Sequence, residues 1–281
     1  MRRIAAALVV ALCLALVAGC APTPAATLPE DVTVGVRQNR DDYGPRRIEV
    51  LVTNDGTEAL EVRSARLDSS AFALPSESTR PTTIRPGTTT AVRLDLGPPD
   101  CDGAGAVETT VQLDFETAGG GGTAVVTPED ALGTLERVHA EDCLAEQVAA
   151  IVDIVPAGGI EIVDAGDGPV AHLVVTVTPT GADGAVTISA VDRTILLRPA
   201  SGGGAWPVEA RLDAASEALS IDLAIVPANC STHTVAEDKR GTFLPVVVAL
   251  DSGASGVVSV GVDDTVRAAL YRYIADDYCG W

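Results

Sequence analysis

The cysteines are the residues whose chemistry this sequence defines most closely. The chain of 281 residues contains six of them, at positions Cys13, Cys20, Cys101, Cys143, Cys230 and Cys279. Cysteine can form a disulfide, bind a metal ion or act as a nucleophile, and its spacing helps to separate these uses. No Cys-x-x-Cys pair is present, and we assign metal-ligand spacing only to His233, three residues after Cys230. This spacing predicts neither a zinc nor a copper site, and because Met1 is the only methionine a methionine-rich copper carrier is also disfavoured.

Serine nucleophiles and phosphate-binding loops have recognisable motifs, and neither is found. No Gly-x-Ser-x-Gly motif occurs. The glycine runs at residues 119–122 and 202–204 lack the lysine and the strand-to-helix setting of a phosphate loop. Asp95 and Asp222 lie on predicted strands. Their positions in the sequence do not show that either lies close to a second carboxylate. The sequence therefore predicts no catalytic residue, no enzyme activity and no cofactor.

The first 20 residues have the features of an export signal. After Arg2-Arg3 comes an apolar run from Ile4 to Val17, and Leu16-Val17-Ala18-Gly19-Cys20 then sets two small residues before a cysteine. This stretch resembles the lipobox of bacterial lipoproteins. The resemblance implies that a signal peptide, residues 1–19, is removed and that Cys20 is acylated, so that the bilayer holds the mature chain at the outer face of the cytoplasmic membrane. The alternative is a membrane-spanning helix, but an apolar run of about 14 residues is shorter than the roughly 20 that a span needs.

The chain is strongly acidic, with a net charge of −20. Removing Arg2 and Arg3 with the signal peptide leaves 17 basic residues against 39 acidic ones, a net charge of −22. This sign argues against a nucleic-acid partner and against electrostatic adhesion to anionic lipid. Lys239 is the only lysine, whereas arginine, alanine, glycine and valine are plentiful, which is typical of a high-GC bacterial genome such as that of an actinobacterium.

Residues 233–242 form the densest mixed-charge segment of the chain. One interpretation is a recognition loop whose contacts come from His233, Glu237, Asp238, Lys239 and Arg240. The other is the entry to a strand, in which these acids and bases pair with each other, and exposed pairs of that kind contribute little to stability. We favour the structural interpretation from the sequence, and the recognition loop stays open.

Residues 31–146 are predicted to form a first β domain, which follows a lipidated N-terminus and flexible tether at residues 20–30. Alternating apolar residues predict its strands at 32–36, 48–52, 60–67, 91–96, 107–115 and 124–126. Asn54-Asp55-Gly56 predicts a hairpin turn that pairs the second strand with the third. Thr127-Pro128, followed by two acids, predicts the start of a short helix that ends at Cys143.

Residues 147–281 are predicted to form a second domain on the same plan. Its strands are expected at 151–155, 160–163, 172–177, 186–197, 219–225, 243–250 and 257–260. Asp263-Asp264 predicts the start of a helix that leads to Cys279.

The two domains look like copies of one module. Pro98-Pro99-Asp100-Cys101 and Pro227-Ala228-Asn229-Cys230 each follow a strand, and Cys143 and Cys279 each end a helix that begins with acids. Once Cys13 is removed and Cys20 is acylated, four cysteines remain in an exported chain, where disulfides form, and four cysteines allow three pairings. The duplication selects Cys101 with Cys143 and Cys230 with Cys279.

The strand count, alternation and turn spacing predict a mainly β fold. We expect two tandem β-sandwich domains, each with one short C-terminal helix, and this pattern resembles that of immunoglobulin-like domains. Two functions stay open. The first is a non-enzymatic binding or structural module of the cell envelope that contacts an envelope protein or a cell-wall component. The alternative is a carrier that holds a small molecule between the two sandwiches.

Overall fold

The described chain is mainly β. The computed structural model describes residues 26–103, 106–166 and 168–281, so the predicted signal peptide, Cys13 and Cys20 lie outside the described residues. The strands within these ranges are β1 Val32–Arg37, β2 Arg47–Asn54, β3 Leu60–Ser69, β4 Ser76–Ser78, β5 Thr82–Ile84, β6 Thr88–Asp95, β7 Thr109–Thr117, β8 Gly120–Val126, β9 Val152–Pro156, β10 Glu161–Asp164, β11 Pro169–Pro179, β12 Ala185–Asp192, β13 Leu197–Pro199, β14 Ala205–Asp213, β15 Leu219–Pro227, β16 Phe243–Leu250 and β17 Ser255–Gly261.

The helices are fewer and mostly short. They are α1 Thr134–Ile151, α2 Thr232–Ala236 and α3 Asp264–Arg272, together with a 3₁₀ turn at Arg40–Asp42 and a π-helical stretch, Tyr273–Cys279, that continues α3. Asp263 caps α3, since its carboxylate accepts a hydrogen bond from the Val266 amide at 2.7 Å, as the acids at this position predict. In the part of the chain that the structure describes, no helix combines the length and apolar character needed to cross a bilayer.

Strands β1 to β8 form the first unit, which consists of two antiparallel sheets around one core. The first sheet has the order β1-β2-β6, and the second has the order β4-β3-β7-β8, with β5 also paired to β3. Alternate side chains of both sheets are buried and meet, for example Ile48 and Val50 from β2 with Leu67 from β3 and Leu113 from β7. The period-two pattern of the sequence therefore marks the inward faces.

Strands β9 to β17 form the second unit, again with two antiparallel sheets around a core. One sheet has the order β10-β11-β15-β13, with β9 also paired to β11, and the other has the order β14-β12-β16-β17. Leu173, Leu223, Ile188 and Val248 belong to this second core.

The two units share the pairing of their central strands. In the first unit β2 pairs with β6, and β3 pairs with β7, which pairs with β8. In the second unit β11 pairs with β15, and β12 pairs with β16, which pairs with β17. In both, the chain leaves the first sheet, passes a cysteine, Cys101 or Cys230, enters the second sheet and ends in a helical segment that carries the other cysteine. This correspondence agrees with the internal duplication inferred from the sequence.

The predicted hairpin at Asn54-Asp55-Gly56 is wrong, because β2 and β3 lie in different sheets. The side chain of Asn54 is buried and donates hydrogen bonds to the Glu58 carbonyl at 2.8 Å and the Ile84 carbonyl at 3.1 Å. It also accepts one from the Gly56 amide at 3.1 Å. The turn thus forms a corner where the chain crosses from one sheet to the other, and the buried amide satisfies backbone groups at that corner.

The first helix begins later than predicted. Thr127 does not cap it. The backbone of Glu129 instead pairs with the edge of β1: its amide donates to the Val34 carbonyl at 2.8 Å, and its carbonyl accepts from the Val36 amide at 2.9 Å. The carboxylate of Asp130 accepts the free amides of Thr134 at 2.7 Å and Leu135 at 2.9 Å. An acid just before the helix therefore supplies the capping that was expected from Thr127.

The same helix is also longer than predicted and joins the two cores. It continues past Cys143 to Ile151, so the predicted boundary between residues 146 and 147 lies within α1. Leu135 and Val138 pack in the first core, whereas Leu144 and Val148 pack in the second. Because one continuous helix contributes apolar side chains to both cores, it connects the two units rigidly.

The predicted tether is partly packed. The Ala26 amide donates to the Thr123 carbonyl of β8 at 2.9 Å, and the side chains of Ala26 and Leu28 pack on the first core. If Cys20 is the attachment point, only residues 21–25 separate it from chain that is already packed. Those residues and their flanking bonds reach about 20 Å when extended.

The glycine run at residues 119–122 is not a loop throughout, because β8 begins at Gly120. At Gly121 a Cβ atom would lie 2.3 Å from the Phe115 carbonyl oxygen. Only glycine fits that close approach between β7 and β8.

Candidate functional site

The two units meet at Tyr43, which follows the 3₁₀ turn of the first unit. The guanidinium carbon of Arg240, from the second unit, lies 3.8 Å from the centroid of the Tyr43 ring, and that of Arg137, from α1, lies 5.2 Å from it. Stacking of this kind attracts the cation to the face of the ring. Beside it, Gly44 lies directly against the ring of Phe243 at the start of β16. We call this region, formed by residues 38–46, α1 and residues 237–243, the junction.

A buried acid fixes the position of the turn that carries Tyr43. Asn39 caps the turn by accepting from the Arg40 amide at 2.8 Å, and the Asp42 carboxylate accepts from the Asn39 amide at 3.2 Å. Asp42 is only 1% exposed, and Arg93 of β6 lies 3.4 Å from it. The equally buried Glu49 binds Arg93 at 3.0 Å, so the acids of the turn and of β2 share one arginine. The turn is therefore held by charge-assisted contacts to the sheet beneath it.

Arg46 links the same turn to α1. Its guanidinium donates to the Asp142 carboxylate and, at 3.4 Å, to the Gly97 carbonyl. Arg46 adopts a φ of 52°, a left-handed conformation that non-glycine residues seldom take. Backbone strain of this kind persists where surrounding contacts determine the geometry, and here the contact to α1 does so.

The mixed-charge segment has two kinds of residue. Asp238 and Arg240 make structural contacts: Asp238 accepts from the Gly241 amide at 2.6 Å and from the Tyr271 hydroxyl at 2.9 Å, while Arg240 stacks on Tyr43. Lys239 is exposed and forms no ion pair with any described residue. His233 and Glu237, at 80% and 59% exposure, lie on the outside of α2 with 3.5 Å between Nε2 and Oε2. The structure thus brings only part of the predicted recognition loop to the junction.

Two clefts open at the junction. Cleft A has a volume of about 430 Å³ and is lined by Asp41, Pro45, Lys239, Phe243, Arg267 and Tyr271, among others. Cleft B, of about 350 Å³, lies on the α1 side of Tyr43 and Arg240 and includes Arg46, Glu141 and Asp142. Both clefts are open to solvent, and both mix charged with aromatic or aliphatic side chains.

Two tyrosines of the second unit, Tyr271 beside the junction and Tyr273 in the core, have a raised pKa. Burial, and then the hydrogen bond to the Asp238 carboxylate, raises the pKa of Tyr271 to about 12. Burial likewise raises the pKa of Tyr273 to about 12. The Tyr273 hydroxyl donates to the Pro169 carbonyl at 2.8 Å and the Ile225 carbonyl at 3.0 Å, which ties the last helical segment to the first sheet of the second unit.

We expect the free energy of unfolding to fall as the pH rises from about 10 to about 12. Unfolded tyrosines ionise near pH 10, whereas Tyr271 and Tyr273 keep their protons to about pH 12 in the folded state. The unfolded state therefore binds fewer protons in this window and is favoured as the pH rises. Urea unfolding at pH 9 to 12 measures the slope, which should flatten in Tyr271→Phe/Tyr273→Phe. An unchanged slope in that variant would contradict the assignment.

Both predicted disulfides are present. Cys101 is bonded to Cys143, with 5.5 Å between their Cα atoms, and Cys230 is bonded to Cys279, with 5.6 Å. The first ties the segment after β6 to the middle of α1, rather than to its end. The second ties the segment after β15 to the end of the helical stretch that continues α3.

A histidine that was not predicted as a site residue lies beside the first disulfide. His139 Nε2 lies 3.4 Å from Cys143 Sγ and 2.9 Å from the Asp100 carbonyl oxygen. His139 and Cys143 are four residues apart on α1, which places them on one helix face. That spacing was available in the sequence, but Cys143 had been assigned to the helix end.

A second histidine pairs with an acid on the outer face of the second unit. His172 Nδ1 on β11 lies 2.8 Å from Asp222 Oδ2 on β15. The pair lines a shallow groove with Glu161 and apolar neighbours. The pair includes Asp222, one of the two strand acids considered from the sequence, while the other, Asp95, pairs with Arg47 at 2.7 Å.

Comparisons with known proteins give only distant likenesses. No protein-family model matches the chain, and no curated protein matches it. Red sea bream transglutaminase aligns with 84% of this chain at 13% identity and a TM-score of 0.27, over 32% of its own length. This chain therefore spans about a third of that enzyme. CBD12 from CALX1.2 aligns at 15% identity and a TM-score of 0.21, over 73% of each chain. At such TM-scores these likenesses do not bear on activity.

Proposed function

We propose that the protein is a membrane-anchored extracytoplasmic lipoprotein that acts as a non-enzymatic binding or structural module of the cell envelope. The observation that carries the proposal is the pairing of the cysteines. All four described cysteines are in disulfides, which form in exported proteins. Cys20 is then the one cysteine after the predicted cleavage site that has no disulfide partner, as a lipid attachment site requires.

We propose that each unit is an immunoglobulin-like sandwich. The support is that each unit has two antiparallel sheets around one core, and that the pairing of β2 with β6 and the order β3-β7-β8 recur as the pairing of β11 with β15 and the order β12-β16-β17. In such domains binding surfaces are built on edges, loops and inter-domain junctions, and the scaffold itself carries no chemistry.

We assign the binding surface of this module to cleft A. Its lining combines the carboxylates of Asp41 and Asp238 with the ammonium of Lys239 and the rings of Phe243 and Tyr271. This mixture suits a polar, partly charged partner such as a cell-wall component or a loop of an envelope protein. The shared helix α1 and the Tyr43 stack keep both walls of the cleft in a fixed relation.

The alternative, a small-molecule carrier, is supported by the size of the two clefts, since carriers hold ligands in cavities of about 300–1,000 Å³. Against it, carriers bury most of the ligand surface, whereas both clefts are open to solvent and have charged side chains in their lining. A small molecule that stays bound in stoichiometric amount through purification of the full chain would favour the carrier.

Photo-crosslinking in the native membrane tests the binding surface. A benzophenone amino acid in place of Lys239 should give one defined adduct with a cell-wall fragment or an envelope protein. The matched control places the same residue at Leu132, which is 84% exposed and does not line cleft A. Equal labelling from both positions, or none from position 239, would contradict the assignment.

A further inference from the structure

We propose that the first disulfide conceals a metal site: when Cys101 and Cys143 are reduced, they bind a divalent transition-metal ion, with Zn²⁺ the best match, together with His139 and Glu146. This inference goes beyond the proposed function and does not depend on the lipid anchor. In the oxidised chain the two sulfurs are bonded to each other, so the site exists only after reduction.

The donor atoms are already gathered around the disulfide. The sulfurs of Cys101 and Cys143 and a ring nitrogen of His139 all lie within 4.8 Å of one another. A fourth donor is close, since Glu146 Oε2 lies 3.6 Å from Cys101 Sγ. Two thiolates, one imidazole and one carboxylate are ligands that Zn²⁺ accepts in a four-coordinate site.

Helix α1 presents three of the four donors. His139, Cys143 and Glu146 follow one another at spacings of four and three residues, which places them along one helix face. Cys101 approaches from the segment after β6. Cys143 is 9% exposed and Glu146 is exposed, so the donors run from the packed side of the helix to its surface and leave an entry path for an ion.

The reduction step is an ordinary thiol–disulfide exchange. A dithiol reductant attacks the Cys101–Cys143 bond and becomes a cyclic disulfide, while the two protein sulfurs gain two electrons and two protons. A bound Zn²⁺ then displaces the protons of both thiols. His139 must also release its contact with the Asp100 carbonyl, so that Nε2 presents a lone pair and the ring proton is on Nδ1.

The second disulfide provides an internal control. Cys230 and Cys279 occupy the equivalent place in the second unit, but among the described residues the only group of three close donors is the one at the first disulfide. His233, the histidine nearest Cys230 in sequence, lies beside Glu237 instead. Of the two equivalent disulfides, only the first therefore has a further group of metal-ligating side chains beside it among the described residues.

Co²⁺ is the probe for the test, because cobalt thiolate absorption reports directly on coordination. All full-length variants carry Cys13→Ser and Cys20→Ser, so that only the four disulfide cysteines remain. After reduction with dithiothreitol and its removal without oxygen, the variant that also carries Cys230→Ser/Cys279→Ser should bind one equivalent of Co²⁺. The variant with Cys101→Ser/Cys143→Ser should show no cobalt thiolate bands.

His139→Ala in the first of these variants should weaken Co²⁺ binding by at least about tenfold, the lower end of what losing even an outer-shell partner costs. Circular dichroism with and without Co²⁺ shows whether each reduced variant remains folded. Equal binding by the two cysteine pairs, or binding that His139→Ala leaves unchanged, would overturn the proposal, as would the absence of binding by a folded chain that retains Cys101 and Cys143.

Discussion

Replacing Cys101 and Cys143 together with serine should lower the free energy of unfolding by about 3–4 kcal/mol, and replacing Cys230 and Cys279 should lower it by a similar amount. Each disulfide closes a long loop, of 42 and 49 residues in sequence separation, and so restricts the unfolded chain. Aromatic residues make up only 3% of the chain and both cores consist mainly of Leu, Ile and Val, so the disulfides add to the stability that aliphatic packing provides.

Urea unfolding followed by circular dichroism measures both losses. The matched control is Cys13→Ser, which lies before the predicted cleavage site and should leave stability unchanged. Wild-type protein in reductant without metal should unfold like the combined variant. A peptide map that links Cys101 to Cys230 or Cys279 would contradict the pairing, and a loss below about 1 kcal/mol for either pair would contradict the role assigned to it.

Local patterns predict most of the strands but not β4, β5 and β14, and they do not predict which strands pair. Period-two alternation located β2 and β3 closely, because one face of each strand is buried. The sheet to which a strand belongs depends on distant contacts, and the buried Asn54 side chain forms one of them with the Ile84 carbonyl. The Asn-Asp-Gly signal that is typical of hairpins therefore gave the wrong partner for β3.

The length of α1 was missed for a related reason. The segment that begins at Thr127 predicts a short helix that ends at Cys143, although Leu144, Val148 and Ile151 continue the helical spacing beyond it. The prediction instead starts a separate domain at residue 147, with a strand at 151–155. In the fold Leu144, Val148 and Ile151 pack on the second core, so the boundary between the two units lies inside α1. Aligning the two sequence copies does not reveal this.

The junction could be predicted only in part. The mixed charge of residues 233–242 made this segment a candidate recognition loop, and Asp238 and Arg240 do make specific contacts. Their partners, Tyr271 and Tyr43, are brought near by the packing of α3 and of the first unit, and nothing local in the sequence pairs them. The contact between His139 and Cys143, by contrast, could have been predicted, because residues four apart on a helix lie on the same face.

Cys20→Ser should move the protein from the membrane to the soluble fraction almost completely. If the anchor is acylated Cys20, the variant loses its acyl chains, each of which contributes about 0.8 kcal/mol per buried CH₂. The strongly negative chain offers no electrostatic attraction to anionic lipid in compensation. If acylated Cys20 is the anchor, the five residues between it and packed Ala26 would limit the distance from the first unit to the bilayer surface to about 20 Å.

The lipid anchor is tested by expressing the full-length chain in a bacterium and measuring whether it enters the detergent phase. The mass of the N-terminal peptide shows where the mature chain begins and whether it is acylated. We predict that wild type and Cys13→Ser enter the detergent phase and begin at an acylated Cys20, whereas Cys20→Ser stays in the aqueous phase. Retention of residues 1–19 in the wild-type chain, or membrane association that Cys20→Ser leaves unchanged, would contradict a lipid-anchored module and favour a spanning helix.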